Sequence, residues 1–141
     1  MGDYPQVLVD IDDVLATPEK PVDEVQQVLI DARKYITDQS RWIQGAFRQE
    51  EYIEGDSIVR VCAVGAVYEA AGHPFGVHET FPPKKRCLIT DALRLLNKAL
   101  PKWHRSRDYG VPGFNDAVGR QHDDVVQLFD RAIDLAEQEE R

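Results

Sequence analysis

Residues 57–71 read SIVRVCAVGAVYEAA and are apolar nearly all round. So long a run exceeds an ordinary strand, and it is bounded by Asp56 and Ser57, which suit a helix N-cap, and by Gly72, which suits a C-cap. These residues predict a buried central helix, although Ile58 to Val61 taken alone also fit extended backbone. Gly65 and the small residues Ala63, Ala66 and Ala70 would let a neighbouring helix approach closely. Cys62 would then lie well inside a helix, flanked by Val61 and Ala63, where a cysteine behaves as a small hydrophobe.

Three further stripes have the helical period. Val25, Val28, Leu29, Ala32, Tyr35 and Ile36 repeat at i, i+3, i+4, with Pro21 suited to the first turn, and predict a helix over 22–37. Ala92, Leu93, Leu96, Ala99 and Leu100 predict one from Thr90 to Leu100, stopped by Pro101. Val125, Leu128, Phe129, Ala132, Ile133 and Ala136 predict the last, from Arg120 to Glu139, with Asp123 and Asp124 favouring its N-terminal dipole. Segments 42–56, 72–85 and 103–119 are rich in Gly, Pro and polar residues and read as long loops, the first with room for a small hairpin. The expected fold is mainly α, with about four main helices packed around the 57–71 helix.

The chain has 141 residues, 43% apolar and 30% charged, enough for one domain with a real core. Residues 1–20 read as an acidic N-terminal arm and 21–141 as a single helical domain. No apolar run nears the roughly 18 residues that span a membrane, and the N-terminus lacks the basic and apolar regions of a signal peptide. A cytoplasmic setting with reduced thiols at Cys62 and Cys87 is the expectation. A net charge of −8 disfavours nucleic acid and anionic membrane. Acidic residues gather at both ends, while Lys84, Lys85, Arg86, Arg94, Lys98, Lys102, Arg105 and Arg107 form a basic middle. That asymmetry fits either charge balance within the molecule or a local anion site.

The stretch VLVDIDDVLATPE, residues 7–19, resembles the first motif of the haloacid dehalogenase phosphatases. That resemblance would make Asp10 a nucleophile and Asp12 an acid/base at the end of a strand in a parallel sheet. The rest of the chain lacks the alternation of buried strands and helices such a sheet requires. No later apolar strand ends in a Gly-Asp or Asp-Asp pair to hold magnesium. The phosphatase is therefore the remote alternative.

From about Glu24 to Glu137 the chain resembles a family of small uncharacterised bacterial and bacteriophage domains. The resemblance is carried by Trp42-x-x-Gly45-Ala46, Cys62-Ala63-x-Gly65-Ala66, Asn115-Asp116-x-x-Gly119-Arg120, and Val125 to Phe129 with Ala132-Ile133. Where that pattern often has Trp, this chain has Val61 and Phe114, and Gln121 replaces a Thr N-cap. The family implies no activity, and so implies only one domain after the N-terminal arm.

Six residues are candidates for a site. Cys62, His122 and Asn115 or Asp116 are the ingredients of a thiol hydrolase, which needs a cysteine at a helix N-terminus, a histidine base and an orienting group. Trp42 and Phe114 would line a small-ligand pocket beside them. The alternative is structural: Asn115 and Asp116 bond backbone amides to fix a loop, Gly119 supplies a positive φ, and Trp42 and Gly45 serve packing and a turn. Trp103 and His104, with Arg105 and Arg107, could stack on and neutralise an anion. His73, His78 and Glu79 could form a loop metal site, but they lack a ligand spacing of established type, and no metal or cofactor is expected. Two functional classes remain: a non-enzymatic domain that binds or regulates a protein partner or self-associates, and an enzyme or ligand binder built on the six residues.

Overall fold

The computed structural model describes residues 22–75, 82–102 and 110–139. Within them the fold is mainly α, with five α-helices and one two-stranded antiparallel sheet. The expected arm at 1–20, with Asp10 and Asp12, lies outside the described residues, as do His78, Glu79, Trp103, His104, Arg105 and Arg107.

Helix α1, Glu24–Thr37, starts where the stripe predicts. Asp23 caps it, its carboxylate accepting the Gln26 N–H at 2.8 Å. Val25, Val28, Leu29, Ala32 and Ile36 are buried. Each of the valine, leucine and isoleucine side chains contributes roughly 1.5–3 kcal/mol on full burial. A single 3-10 turn, Gln39–Arg41, follows.

The 57–71 stretch is not one helix. Strand β1, Arg48–Ile53, pairs antiparallel with β2, Asp56–Val61, and helix α2 occupies only Ala63–Ala70. Two physical features explain the correction. Ile58, Val59 and Val61 are β-branched and stiff, which suits strand better than helix. Glu54 and Gly55, with φ of 52° and 88°, form the two-residue turn whose twist matches a hairpin. Asp56 and Ser57 are thus strand residues, and the helix cap is Cys62, whose sulfur accepts the Gly65 N–H at 3.5 Å. The C-terminus behaves as expected: Gly72 has φ 77°, and the N–H groups of Gly72 and His73 close onto the carbonyls of Glu69 and Tyr68.

Gly65 admits backbone, not a neighbouring helix. A Cβ built there would sit 2.0 Å from the carbonyl oxygen of Phe47 and 2.9 Å from the Val61 Cβ. The segment entering β1 therefore rests directly on the first turn of α2.

Helix α3, Pro83–Ala99, begins seven residues before the expected Thr90. The Pro82-Pro83 pair reads as a loop, yet Pro83 occupies the first helical turn, where its missing N–H has no intrahelical acceptor to lose. Helix α4, Gly110–Asp116, lies inside an expected loop, and two glycines and Pro112 hide it in the sequence. Helix α5, His122–Gln138, matches its stripe, with Val125, Leu128, Phe129, Ala132 and Ala136 buried.

The centre of the packing is α1, which contacts α2, α3 and α5; α5 also packs on α3, and α4 on α2 and α3. The expected central role of the 57–71 segment thus passes to α1. Leu29, Ile36, Leu96, Leu128 and Phe129 are fully buried where these helices meet. Among the described residues the sheet is the antiparallel hairpin alone, so nothing there presents a strand end as a phosphatase of the dehalogenase type requires. No described helix is long and apolar enough to cross a membrane.

Candidate functional site

Asn115, at the end of α4, is wholly buried, and all of its side-chain hydrogen-bonding groups have partners. Its Oδ1 accepts from the Trp42 indole N–H at 2.7 Å and from the Ala63 backbone N–H at 3.1 Å. Its Nδ2 donates to the Ile43 carbonyl at 3.0 Å and to Asp116 Oδ1 at 2.8 Å. One amide side chain thereby joins the 42–43 segment, the start of α2 and the end of α4.

The neighbours extend the same pattern. Asp116 Oδ1 also accepts the Gly45 N–H at 2.9 Å, and Gly45 has φ 84°, a turn conformation. Gln44 Nε2 donates to the carbonyls of Asn115 and Ala117 at 2.9 and 3.2 Å. Arg120 Nε donates to the Phe114 carbonyl at 2.7 Å, and its guanidinium lies 3.8 Å from the centroid of the buried Phe114 ring. Gly119, between them, has the expected positive φ, 81°.

Cys62 adjoins this knot, and at a helix N-terminus rather than inside a helix, the position a thiol nucleophile needs. Its environment opposes that chemistry. The residue is 2% exposed, and burial pushes its thiol above the usual cysteine range, with the Asp116 carboxylate adding in the same direction. The amides of Gly65 and Val64 pull the other way but do not reverse the shift.

His122 opens α5. Its Nε2 lies 2.5 Å from the Ile36 carbonyl oxygen, which can only accept, so Nε2 carries the proton. The ring also leans on Trp42 at 5.7 Å between centroids. The histidine therefore ties α5 to the end of α1. His73 is buried just after α2, its backbone N–H bonded to Tyr68. Among the described residues no three His, Cys, Asp or Glu gather as a metal site would require.

The described surface carries hollows away from this knot. One of about 320 Å³ is lined by Tyr35, Asp38, Ser40, Arg41, Ser57, Ile58 and Val59. A second of about 310 Å³ lies between the ends of α3 and α5. A third, about 390 Å³, is apolar and lined by Phe47, Val64, Phe75, Leu93, Asn97, Gly110, Val111 and Pro112. None of Trp42, Cys62, Phe114, Asn115, Asp116 and His122 lines any of the three.

Sequence patterns thus found the residues that converge, and the structure shows what converges on them: chiefly backbone amides and carbonyls. Gln44 and Arg120 escaped as members of the knot, though both stand inside the motifs quoted above. No curated protein and no solved structure matches the chain. The family model that does match, described as a family of unknown function (DUF6197), spans residues 20–135, and the chain belongs to that family.

Proposed function

We propose that this chain is a small non-catalytic domain that binds or regulates a protein partner in the cytoplasm. The observation that supports this reading is the state of the six candidate residues. Asn115 has all four of its side-chain bonds made inside the protein, and Cys62 is buried with a raised thiol. A nucleophile and its orienter need groups left open to substrate, and here those groups hold the fold. The apolar residues left on the surface suit an interface: Phe47, Tyr52 and Ile53 are exposed in and beside the hairpin. The charge of −8 disfavours nucleic acid as the partner.

The reading is tested by alkylating the native protein with iodoacetamide at neutral pH and locating the adducts by mass spectrometry. The exposed Cys87 should react and the buried Cys62 should not, until denaturant exposes it. Rapid native alkylation of Cys62 would restore the thiol hydrolase and overturn the non-catalytic reading.

A further inference from the structure

We infer that the outer edge of β1 is a docking edge for an extended, basic segment of a partner protein, which would add a third strand to the hairpin. The inference rests on the protein-binding reading and names its surface.

The phase of the hairpin follows from its turn. A two-residue loop makes Ile53 and Asp56 a hydrogen-bonded pair, and such pairs then alternate along the ladder. Arg48, Glu50 and Tyr52 therefore turn their backbone N–H and C=O groups away from β2. Contacts at the base agree: Phe47, in the inward phase, accepts the Cys62 N–H with its carbonyl.

The two edges of the hairpin differ. On β2 the outward carbonyls of Val61 and Val59 accept from the Ile43 N–H at 3.0 Å and the Tyr35 hydroxyl at 2.9 Å. On β1 no described residue bonds the outward backbone of Arg48, Glu50 or Tyr52. Of the other devices that blunt an edge, only charge is present, on Arg48, Glu50 and Glu51. The register runs unbroken from Arg48↔Val61 to Ile53↔Asp56, so there is no bulge, and the strand has neither proline nor lysine. It ends instead in Tyr52, 76% exposed, and Ile53, 43% exposed.

Charge selects the occupant. The hairpin carries Glu50, Glu51, Glu54 and Asp56 against two arginines, and both arginines already hold carboxylates: Arg48 binds Glu50 and Glu69, and Arg60 binds Glu51. A second copy of the chain suits the edge poorly, since it brings the same −8 and the same surplus of carboxylates on its own hairpin. A lysine- or arginine-bearing strand meets the outward backbone and the hairpin's excess of carboxylates over arginines, Glu50 and Glu51 being already paired with Arg48 and Arg60.

The test uses fluorescence anisotropy with a short labelled peptide of alternating lysine and valine, beside its glutamate–valine counterpart. The full chain should bind the basic peptide and not the acidic one. Glu50→Pro removes an outward N–H without touching the inner ladder, and should weaken binding about tenfold or more. Tyr52→Lys, which leaves the backbone intact, should weaken it too and covers the case in which the proline variant does not fold. Equal binding by wild type and a folded Glu50→Pro variant, equal binding of the acidic peptide, or no binding of the basic one would each overturn the inference. So would a wild-type dimer, seen by light scattering, that Glu50→Pro dissolves, because the occupant would then be a second copy. A native protein partner retained equally by Glu50→Pro would sink the edge but leave the binding-domain reading standing; an alkylated Cys62 would sink the reading itself.

Discussion

The knot around Asn115 and the hairpin edge at β1 are both polar, and they put polarity to opposite uses. At the knot every polar group of one buried amide is matched from inside, by the Trp42 indole, the Ala63 N–H, the Ile43 carbonyl and Asp116. At the edge, the outward backbone groups of Arg48, Glu50 and Tyr52 have no hydrogen-bond partner among the described residues. A buried hydrogen bond is worth little net, but its loss strands a partner at full desolvation cost, so matched buried polarity specifies a fold. Unmatched polarity at a surface costs nothing in water and is available to a partner.

Asn115→Ala is the strongest way to break that contrast. It leaves the Trp42 and Ala63 N–H groups without an acceptor and the Ile43 carbonyl without that donor. The expected loss is about 3–5 kcal/mol, read from urea midpoints at unchanged m-value. A loss below about 1 kcal/mol would mean that water or repacking replaces the amide, and the knot would cease to be the structural centre argued for it.

Gly65→Ala probes the same region through sterics. The added methyl would meet the Phe47 carbonyl oxygen at 2.0 Å, and because that atom is backbone it cannot swing aside. Either α2 or the entry to β1 must move, at a cost of about 2–4 kcal/mol. Amide hydrogen exchange sharpens the result: the Cys62 N–H, bonded to that same carbonyl, should lose protection first. Unchanged exchange at Cys62 would show that the hairpin and α2 are not coupled through Gly65.

The contrast also explains what the sequence revealed. The helices α1, α3 and α5 were legible because a side-chain period of 3.6 survives whatever the stripe packs against. The hairpin was only half legible. Its second strand runs through Val61 and Cys62 into α2 with no glycine or proline between them, so one apolar run spans two periods. The Glu54-Gly55 turn was the missed signal, since a glycine after a polar residue between Tyr52-Ile53 and Ile58-Val59 fits a hairpin better than a loop. Helix α4 was hidden by its own glycines and proline, and packing against α2 and α3 overrides their local preference. For the knot, Trp42, Asn115 and Asp116 stood out as a pattern. Two of the four partners of Asn115, however, are backbone groups of Ile43 and Ala63, which no side-chain chemistry can mark.

Glu54→Asn carries the smallest expected effect and acts on the hairpin alone. Glu54 sits at φ 52°, in the left-handed region that a glutamate side chain adopts at some strain, while Asn and Gly adopt it readily. The next residue, Gly55, already has the φ of 88° that the turn demands, so the substitution creates the preferred Asn-Gly pair. It should stabilise the hairpin by about 0.5–1 kcal/mol. It also removes one of the four carboxylates without touching the outward backbone of β1. Stability and docking therefore separate in one variant: hydrogen exchange at the inner ladder of Gln49 and Glu51 should slow, while the basic peptide should bind slightly less tightly through the lost charge. Tighter binding instead would mean that rigidity of the hairpin, rather than its charge, governs what the edge accepts.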